Sequence, residues 1–362
     1  MLHLGFSYPI GIAIGTGSVH AAQLRATAAG PQVRALLSRP MAAGSQAPDT
    51  DSAVRESLCD IRRSRLFQGR RVIALLPPTQ LSGFPIQFRL SADEVLETAI
   101  LREASKSLSF PDEDVVVDYP DVQVLTGEGV ESYKVDVVAI QRSTLARYMQ
   151  IFRAAGLELE VVDTEVCALV RLHTSLGRMT QGQVILCCVG SAESLIAVVD
   201  SEGLLAHRSI LWGLNTLLDR VKAQQPKLET PQQARGLLQQ VGLLYDERPA
   251  GSPEEGPESA RRAIYQAAAP AVDHLVQQLR EVIEQARPAR RQVAFTHLDL
   301  YGQAAFVHGL DRYIAKRIGL TVGCVNPVET LRLAHARLLP DPAEGAAYAL
   351  ALGLALRRTA WL

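Results

Sequence analysis

The sequence predicts an α/β protein of two lobes, with a small α+β module inserted into the first lobe. Three observations support this prediction. A strand-turn-strand pattern occurs twice, helices and further strands follow each copy, and 362 residues are too many for one ordinary core. Hydrophobic residues make up 48% of the chain, which supplies enough apolar surface for two cores.

The first strand-turn-strand pattern spans residues 10–24. Isoleucines at every second position lead into the turn Gly15-Thr16-Gly17-Ser18, and a second extended stretch follows it. Glycines leave backbone N–H groups unshielded, so this turn suits an oxyanion with the Thr16 and Ser18 hydroxyls beside it. An ordinary tight hairpin has the same composition, and the turn alone favours that interpretation.

The second copy of the pattern spans residues 184–199. An apolar strand, a turn of small residues and another apolar strand recur there, and the turn reads Gly190-Ser191-Ala192-Glu193-Ser194. This repetition indicates two related halves of the chain.

The first lobe is expected to begin with residues 1–78 and to continue over residues 141–180. After its hairpin the expected elements are a strand at 33–41, a helix at 52–63, a strand at 71–76, a helix at 143–155, a strand at 158–162 and a helix at 165–176. Gly156 is placed to end a helix in the left-handed conformation.

Residues 79–140 form the predicted inserted module. Its expected elements are a strand at 81–90, a helix from Ser91 to residue 108, and strands at 114–125 and 133–140. Ser91 is placed as the N-cap, with Glu94 at the capping-box position. The pattern predicts one helix packed on a three-stranded antiparallel sheet.

Residues 181–342 form the predicted second lobe, and residues 343–362 a C-terminal helix. The lobe's further expected elements are strands at 204–211, 293–300 and 321–325 and helices at 214–223, 231–241, 262–286 and 309–318. Prolines and glycines near residues 245–260 predict a mobile loop. The C-terminal segment is rich in alanine and glycine, which let a helix pack closely, and it is too short to span a membrane.

The charge balance and the cysteines limit the function classes. The chain has 37 basic and 38 acidic residues and a net charge of -1, which argues against a general nucleic-acid binder. The cysteines, at positions 59, 167, 187, 188 and 324, form no metal-binding spacing and indicate a reducing compartment. We expect neither an export signal nor a membrane-spanning helix.

Short motifs along nearly the whole chain carry a family resemblance. They are Leu90-Ser91-Ala92-Asp93-Glu94-Val95, Phe110-Pro111, Asp118-Tyr119, Val137-Val138-Ala139-Ile140, Ala154-Ala155-Gly156-Leu157, Val161-Val162-Asp163-Thr164-Glu165 and Ala351-Leu352-Gly353-Leu354-Ala355-Leu356-Arg357. With the duplicated hairpin, the chain resembles the PilM-like type IV pilus assembly proteins of the actin-like, ribonuclease H-like superfamily. The resemblance implies two lobes facing each other across a cleft, each with a mixed five-stranded sheet, and a C-terminal helix that crosses between them.

The resemblance also implies a nucleotide site between the two hairpins, but this chain departs from it. Members of the family carry an aspartate two residues before the glycine of each turn, where it organises Mg²⁺. Ala13 and Cys188 stand at those positions, and neither offers the oxygen that Mg²⁺ prefers. We therefore expect no metal site, no required cofactor and no ATP hydrolysis.

Nucleotide binding without hydrolysis stays open, because a backbone turn needs no carboxylate to hold a phosphate. The residues that would bind it are Gly15, Thr16, Gly17, Ser18, Gly190, Ser191, Ser194, Gly302 and Gln303.

Two acids are weak candidates for a catalytic role. Asp163 and Glu165 stand where the resemblance places the residues that position a catalytic water, and an acid that begins a helix also stabilises its N-terminus. His297 and Asp299 share one face of a predicted strand, but the sequence places no third group with them, and a structural role is favoured.

Two function hypotheses follow. The first is a cytoplasmic scaffold of a type IV pilus or type II secretion-like machine, held at the inner face of the inner membrane by a partner. The resemblance implies a groove beside the inserted module that takes the cytoplasmic tail of a PilN-like inner-membrane protein, besides contacts with other machine components. We expect no nucleic-acid partner and no direct membrane insertion, and self-association is left open. The alternative is a nucleotide-switched, weakly hydrolysing ATPase.

Overall fold

A computed structural model describes residues 7–41, 50–77, 80–91, 93–108, 114–119, 122–127, 130–225, 228, 230–243, 257–287, 293–331 and 342–357. The strands, in chain order, are β1 (Ser7–Ile14), β2 (Ser18–Thr27), β3 (Gly30–Pro40), β4 (Arg71–Leu75), β5 (Ser82–Phe88), β6 (Val115–Asp118), β7 (Val122–Gly127), β8 (Val130–Gln141), β9 (Glu158–Val162), β10 (Gln183–Val189), β11 (Ser194–Asp200), β12 (Gly203–Ile210), β13 (Phe295–Gly302) and β14 (Thr321–Cys324). The predicted mobile loop near 245–260 lies outside the described residues up to residue 256, as does the Phe110-Pro111 motif.

The helices, in chain order, are α1 (Thr50–Arg63), α2 (Leu96–Ser105), α3 (Arg142–Ala154), α4 (Glu165–Ser175), α5 (Leu214–Gln224), α6 (Pro231–Val241), α7 (Pro257–Ala286), α8 (Leu310–Ile318), α9 (Pro327–Thr330), α10 (Pro342–Ala347) and α11 (Ala349–Ala355). The predicted long helix begins at Pro257 rather than at 262, and the predicted C-terminal helix is two helices separated at Tyr348. In the part of the chain that the structure describes, no helix is both long and apolar enough to cross a membrane.

Two five-stranded mixed sheets have the same topology. Their strand orders are β3-β2-β1-β4-β9 and β12-β11-β10-β13-β14. In each sheet a hairpin and a third strand pair antiparallel, and two later strands add in parallel. The repeated hairpins therefore belong to separate sheets, as the sequence predicts.

The sheets and helices pack in layers. Helices α1 and α3 cover the outer face of the first sheet, and α5 to α8 cover the outer face of the second. The inner faces of both sheets pack on α4 and α11, which form the central layer between the lobes.

The inserted module differs from its prediction at the sheet. It has four strands rather than three, because the predicted strand at 114–125 is two strands, β6 and β7. Both pair with the same side of the long β8, β6 near its end and β7 near its beginning, while β5 pairs with the other side. A single apolar stretch of sequence does not show where such a strand is interrupted.

The module's helix also begins later than predicted. Helix α2 starts at Leu96 with Val95 at the N-cap position, so Ser91 does not cap it. The backbone N–H of Glu94 instead donates to the Ser91 carbonyl in a turn, and the Glu94 carboxylate binds the Arg102 guanidinium. Ser91 and Glu94 therefore form a turn that precedes the helix rather than its cap.

Other predicted helix ends are confirmed. Thr230 and Gln233 form a reciprocal capping box at the start of α6, which has proline at its first position. Gly156, with φ 75°, follows the last turn of α3 in the left-handed conformation.

Two glycines allow the central layer to pack. An ideal Cβ on Gly11 of β1 would lie 2.0 Å from the Ala351 carbonyl oxygen, and one on Gly353 of α11 would lie 2.1 Å from the Ala168 carbonyl oxygen. The backbone of α11 therefore touches the backbones of both β1 and α4. Any side chain at Gly11 or Gly353 would push the central layer apart.

Gly353→Ala should lower the free energy of unfolding by about 3 kcal/mol, since the added methyl group would overlap the backbone of α4. Gly236→Ala is the matched control, because Gly236 lies inside helix α6 with no atom within 4 Å of its added Cβ. The control should raise stability by about 0.5 to 1 kcal/mol. Urea unfolding of both variants measures the difference, and equal midpoints would contradict this account of the central layer.

Candidate functional site

The turns of the two hairpins face each other across the cleft between the lobes. An ideal Cβ on Gly17 would lie only 3.5 Å from Ser191 Oγ of the opposite turn. Within each turn one N–H is already used, because Gly15 donates to the Ser18 carbonyl and Gly190 to the Glu193 carbonyl. The predicted pair of turns is therefore present, but in close contact.

The space left between the turns is small. Its volume is about 90 Å³, whereas sites for drug-sized ligands and cofactors have roughly 300 to 1,000 Å³. Most predicted site residues line it, together with Glu193, His20 and residues of the C-terminal helices. The predicted residues in the lining are Ala13, Gly15, Thr16, Ser18, Glu165, Cys188, Gly190, Ser191, Gly302 and Gln303.

Gln303 occupies the middle of the cleft. Ser191 Oγ donates to Gln303 Oε1 over 3.0 Å, and Gln303 Nε2 donates to Ser18 Oγ over 3.4 Å. Gly302, with φ 87°, turns the chain close to Val189, since an ideal Cβ there would lie 2.3 Å from the Val189 carbonyl oxygen. This turn sets Gln303 between the two hairpins, a position that no local sequence pattern indicates.

The described residues that line the cleft carry no positive charge at neutral pH. Burial lowers the pKa of His20 to about 4, so its imidazole is neutral. Burial and the nearby Glu193 raise the pKa of Glu165 to about 7, and burial also raises the pKa of Glu193. Neither lysine nor arginine is among the described residues that line the cleft. Such an environment disfavours the negative charge of phosphates.

Mg²⁺ with ATP does not fit these residues. Ala13 and Cys188 are buried beside the two turns. Burial raises the pKa of the Cys188 thiol well above its ordinary range. A protonated thiol and a methyl group supply no ligand for a hard cation. Among the described residues, no three His, Cys, Asp or Glu side chains form a group suited to a metal ion.

Two predicted site residues lie away from the cleft. Asp163 is buried, and its Oδ2 lies 3.0 Å from Arg171 Nη2 and 3.1 Å from Arg357 Nη1. It thereby ties the first lobe to α4 and to Arg357, two residues after the end of α11. Ser194 Oγ donates to the Trp212 carbonyl over 2.6 Å inside the second lobe. Of the two candidate acids, Glu165 alone lines the cleft.

His297 and Asp299 lie on one strand face, with His297 Nε2 3.6 Å from Asp299 Oδ2. The structure adds the groups that the sequence does not place there. Arg178 donates to both carboxylate oxygens of Asp299 over 2.6 and 2.7 Å, and His173 Nδ1 lies 2.8 Å from Tyr301 Oη. Because Asp299 is fully buried and paired, this cluster fastens α4 and the loop after it to the second lobe.

The paired sheets, the central layer and the facing hairpins define an actin-like α/β protein. Comparison with family models extends this result: the model described as type IV pilus assembly protein PilM matches residues 11–230. Because the match covers more than half of the sequence, the chain belongs to the PilM family.

Solved structures agree on the fold. A PilM-PilN type IV pilus biogenesis complex has a TM-score of 0.74 at 21% identity, with 96% of this chain and 98% of that chain covered. The ethanolamine utilization protein EutJ from Carboxydothermus hydrogenoformans has a TM-score of 0.52 at 14% identity, covering 96% and 89%. The nucleotide-free form of diol dehydratase-reactivating factor has a TM-score of 0.53 at 9% identity, covering 96% and 98%. No curated protein sequence is significantly similar to the chain.

Glu165→Gln should stabilise the protein more at pH 8 than at pH 5. The raised pKa means that the folded state holds the Glu165 proton more tightly than the unfolded state. Stability is therefore lost as the pH rises from the ordinary carboxyl range to about 7, and glutamine removes this loss. We expect a gain of about 2 kcal/mol at pH 8 in urea unfolding. The exposed Glu97→Gln is the control, and a pH-independent gain would contradict this assignment.

Proposed function

We propose that this protein is an actin-like scaffold of type IV pilus assembly that docks the cytoplasmic tail of a PilN-like inner-membrane protein without hydrolysing ATP. One observation carries the proposal beyond family membership. A groove of about 450 Å³ lies between the inserted module and the two lobes. This space is five times that of the interlobe cleft and suits a short peptide.

The module's sheet forms one wall of the groove. On β5, Ile86 and Phe88 face α2, whereas Gly83 and Pro85 are on the opposite face. Across from them on β8, Val138 also lies on this open face. Helix α2 covers the other face of the sheet, and none of its described residues lines this groove.

The opposite wall comes from both lobes. The beginning of α4 contributes Thr164 to Val166, and β12 contributes the consecutive residues 205–209. Since β12 is the edge strand of its sheet, consecutive residues border the groove through the edge of the strand. An extended tail can pair with such an edge by main-chain hydrogen bonds and place alternate side chains against the module's sheet.

A tail of this kind gives the scaffold its location, because the partner then holds it at the inner face of the inner membrane. One solved structure of the same fold is a PilM-PilN type IV pilus biogenesis complex, and PilN is the partner of PilM there. Ordering a flexible tail costs conformational entropy, which keeps the affinity modest and reversible. Contacts with other pilus components and self-association remain predictions.

Residues of the interlobe cleft, not those of the groove, support the proposed lack of ATP hydrolysis. Ala13 and Cys188 supply no metal ligands, Gln303 occupies the space between the turns, and no lysine or arginine among the described lining residues neutralises a phosphate. No observation on the described residues favours the nucleotide-switched ATPase over the scaffold.

Val138→Glu should weaken tail binding at least about tenfold, because it replaces an apolar contact of the groove with a longer, charged side chain that loses hydration when a tail covers it. Val95→Glu is the matched control, since Val95 is 62% exposed on the helix side of the module. Fluorescence anisotropy with a labelled synthetic peptide of the cognate PilN-like tail measures both. Equal affinities for the two variants, with unchanged circular dichroism, would place the docking site elsewhere.

Purified protein in Mg²⁺ and ATP should release phosphate no faster than buffer, because the cleft holds no metal ligands at residues 13 and 188. A malachite-green assay measures this. Phosphate release that disappears in the Gly15→Val variant would show that the cleft hydrolyses ATP after all.

A further inference from the structure

A chain of hydrogen bonds crosses the interlobe cleft. It begins at Ser191 in the turn of the second lobe, passes through the Gln303 amide, and ends at Ser18 in the turn of the first lobe. These partners are 112 and 285 residues apart in sequence. Each hairpin turn thus contributes one hydroxyl to a single amide.

The donors and acceptors of this chain run in one direction. Ser191 donates to the amide oxygen, the amide nitrogen donates to Ser18, and Ser18 Oγ lies 3.4 Å from His20 Nδ1. A neutral His20 can accept this last hydrogen bond at Nδ1, in keeping with its lowered pKa. His20 in turn packs edge-on against Tyr348, with ring centroids 5.2 Å apart.

The chain of bonds therefore reaches the central layer. Tyr348 separates the two C-terminal helices, and α11 is held between β1 and α4 by the close approaches at the glycines. Aligned hydrogen bonds that are partly shielded from water strengthen one another, so the bridge resists opening more than its separate bonds do.

We infer that the two lobes are held closed by the protein's own side chains, with Gln303 as the bridging residue, and that this closed state needs no nucleotide. The amide fills the space between the turns, and the remaining 90 Å³ admits a few water molecules rather than a nucleotide. A polyphosphate would have to break the bridge and enter beside Glu165 and Glu193.

Further hydrogen bonds near the groove also hold the two lobes together. Glu165 Oε2 accepts from Ser209 Oγ over 3.4 Å, and Gln123 Nε2 of the module donates to the Leu204 carbonyl over 3.3 Å. These contacts lie beside the proposed docking groove, but the bridge at Gln303 is separate from it. The bridge therefore holds the lobes closed whether or not a tail occupies the groove.

Amide hydrogen exchange of the full chain tests the bridge. Gln303→Ala should speed exchange in both turns, residues 15–18 and 190–194, by at least about fivefold. Without the bridge, opening of the lobes costs less free energy and exposes the turn amides more often. Gln240→Ala, at an exposed position on α6 of the same lobe, is the control and should change neither turn. Addition of Mg²⁺ and ATP to the native protein should leave exchange in both turns unchanged.

A second variant keeps the test decisive if Gln303→Ala does not fold. Ser191→Ala removes the donor to Gln303 Oε1 and should loosen the turn at 15–18 of the opposite lobe as well as its own. Unchanged exchange in the opposite turn, or protection of both turns by Mg²⁺ and ATP, would overturn the inference. Tail binding measured on the same samples reports separately on the docking proposal.

Discussion

The central layer of two helices is the constraint on which the rest of the structure depends. Helices α4 and α11 pack between the inner faces of both sheets, and the backbone of α11 touches β1 at Gly11 and α4 at Gly353. Such contacts leave almost no freedom in the distance between the lobes, because no side chain separates the backbones. The spacing of the two hairpin turns follows from this layer.

Buried charges reinforce the same layer from both ends. Asp163 binds Arg171 and Arg357 on the side of the first lobe, and Asp299 binds Arg178 on the side of the second. A buried carboxylate is costly unless it is paired, so these pairs hold the helices in one arrangement rather than adding much stability. This explains why Asp163, a weak catalytic candidate from the sequence, does not line the cleft.

The inserted module uses its two faces differently. Its helix α2 covers one face of the sheet, and the other face is left toward β12 and the start of α4, where the groove lies. The central layer fixes the spacing of the lobes and so gives this groove a fixed second wall. For the proposed docking of a tail, the ordering cost then falls on the tail alone, because the protein does not have to close around it.

The sequence by itself determined the features that depend on neighbouring residues. The period of two and the glycine turns predicted both hairpins, and Thr230 before Pro231 predicted a helix start. Ala13 and Cys188 stand where the family resemblance places aspartates, and this difference is visible in the sequence alone. These features are local because φ/ψ preference, capping and side-chain chemistry act within a few residues.

Only the tertiary structure decided how distant residues meet. Gln303 joins Ser18 and Ser191 because the lobes bring them together, and the helix predicted to begin at Ser91 begins at Leu96. The split of the strand at 114–125 likewise depends on the long β8, with which both parts pair. Each of these outcomes is a competition between a local preference and a contact made in three dimensions, and the sequence shows only the first of the two.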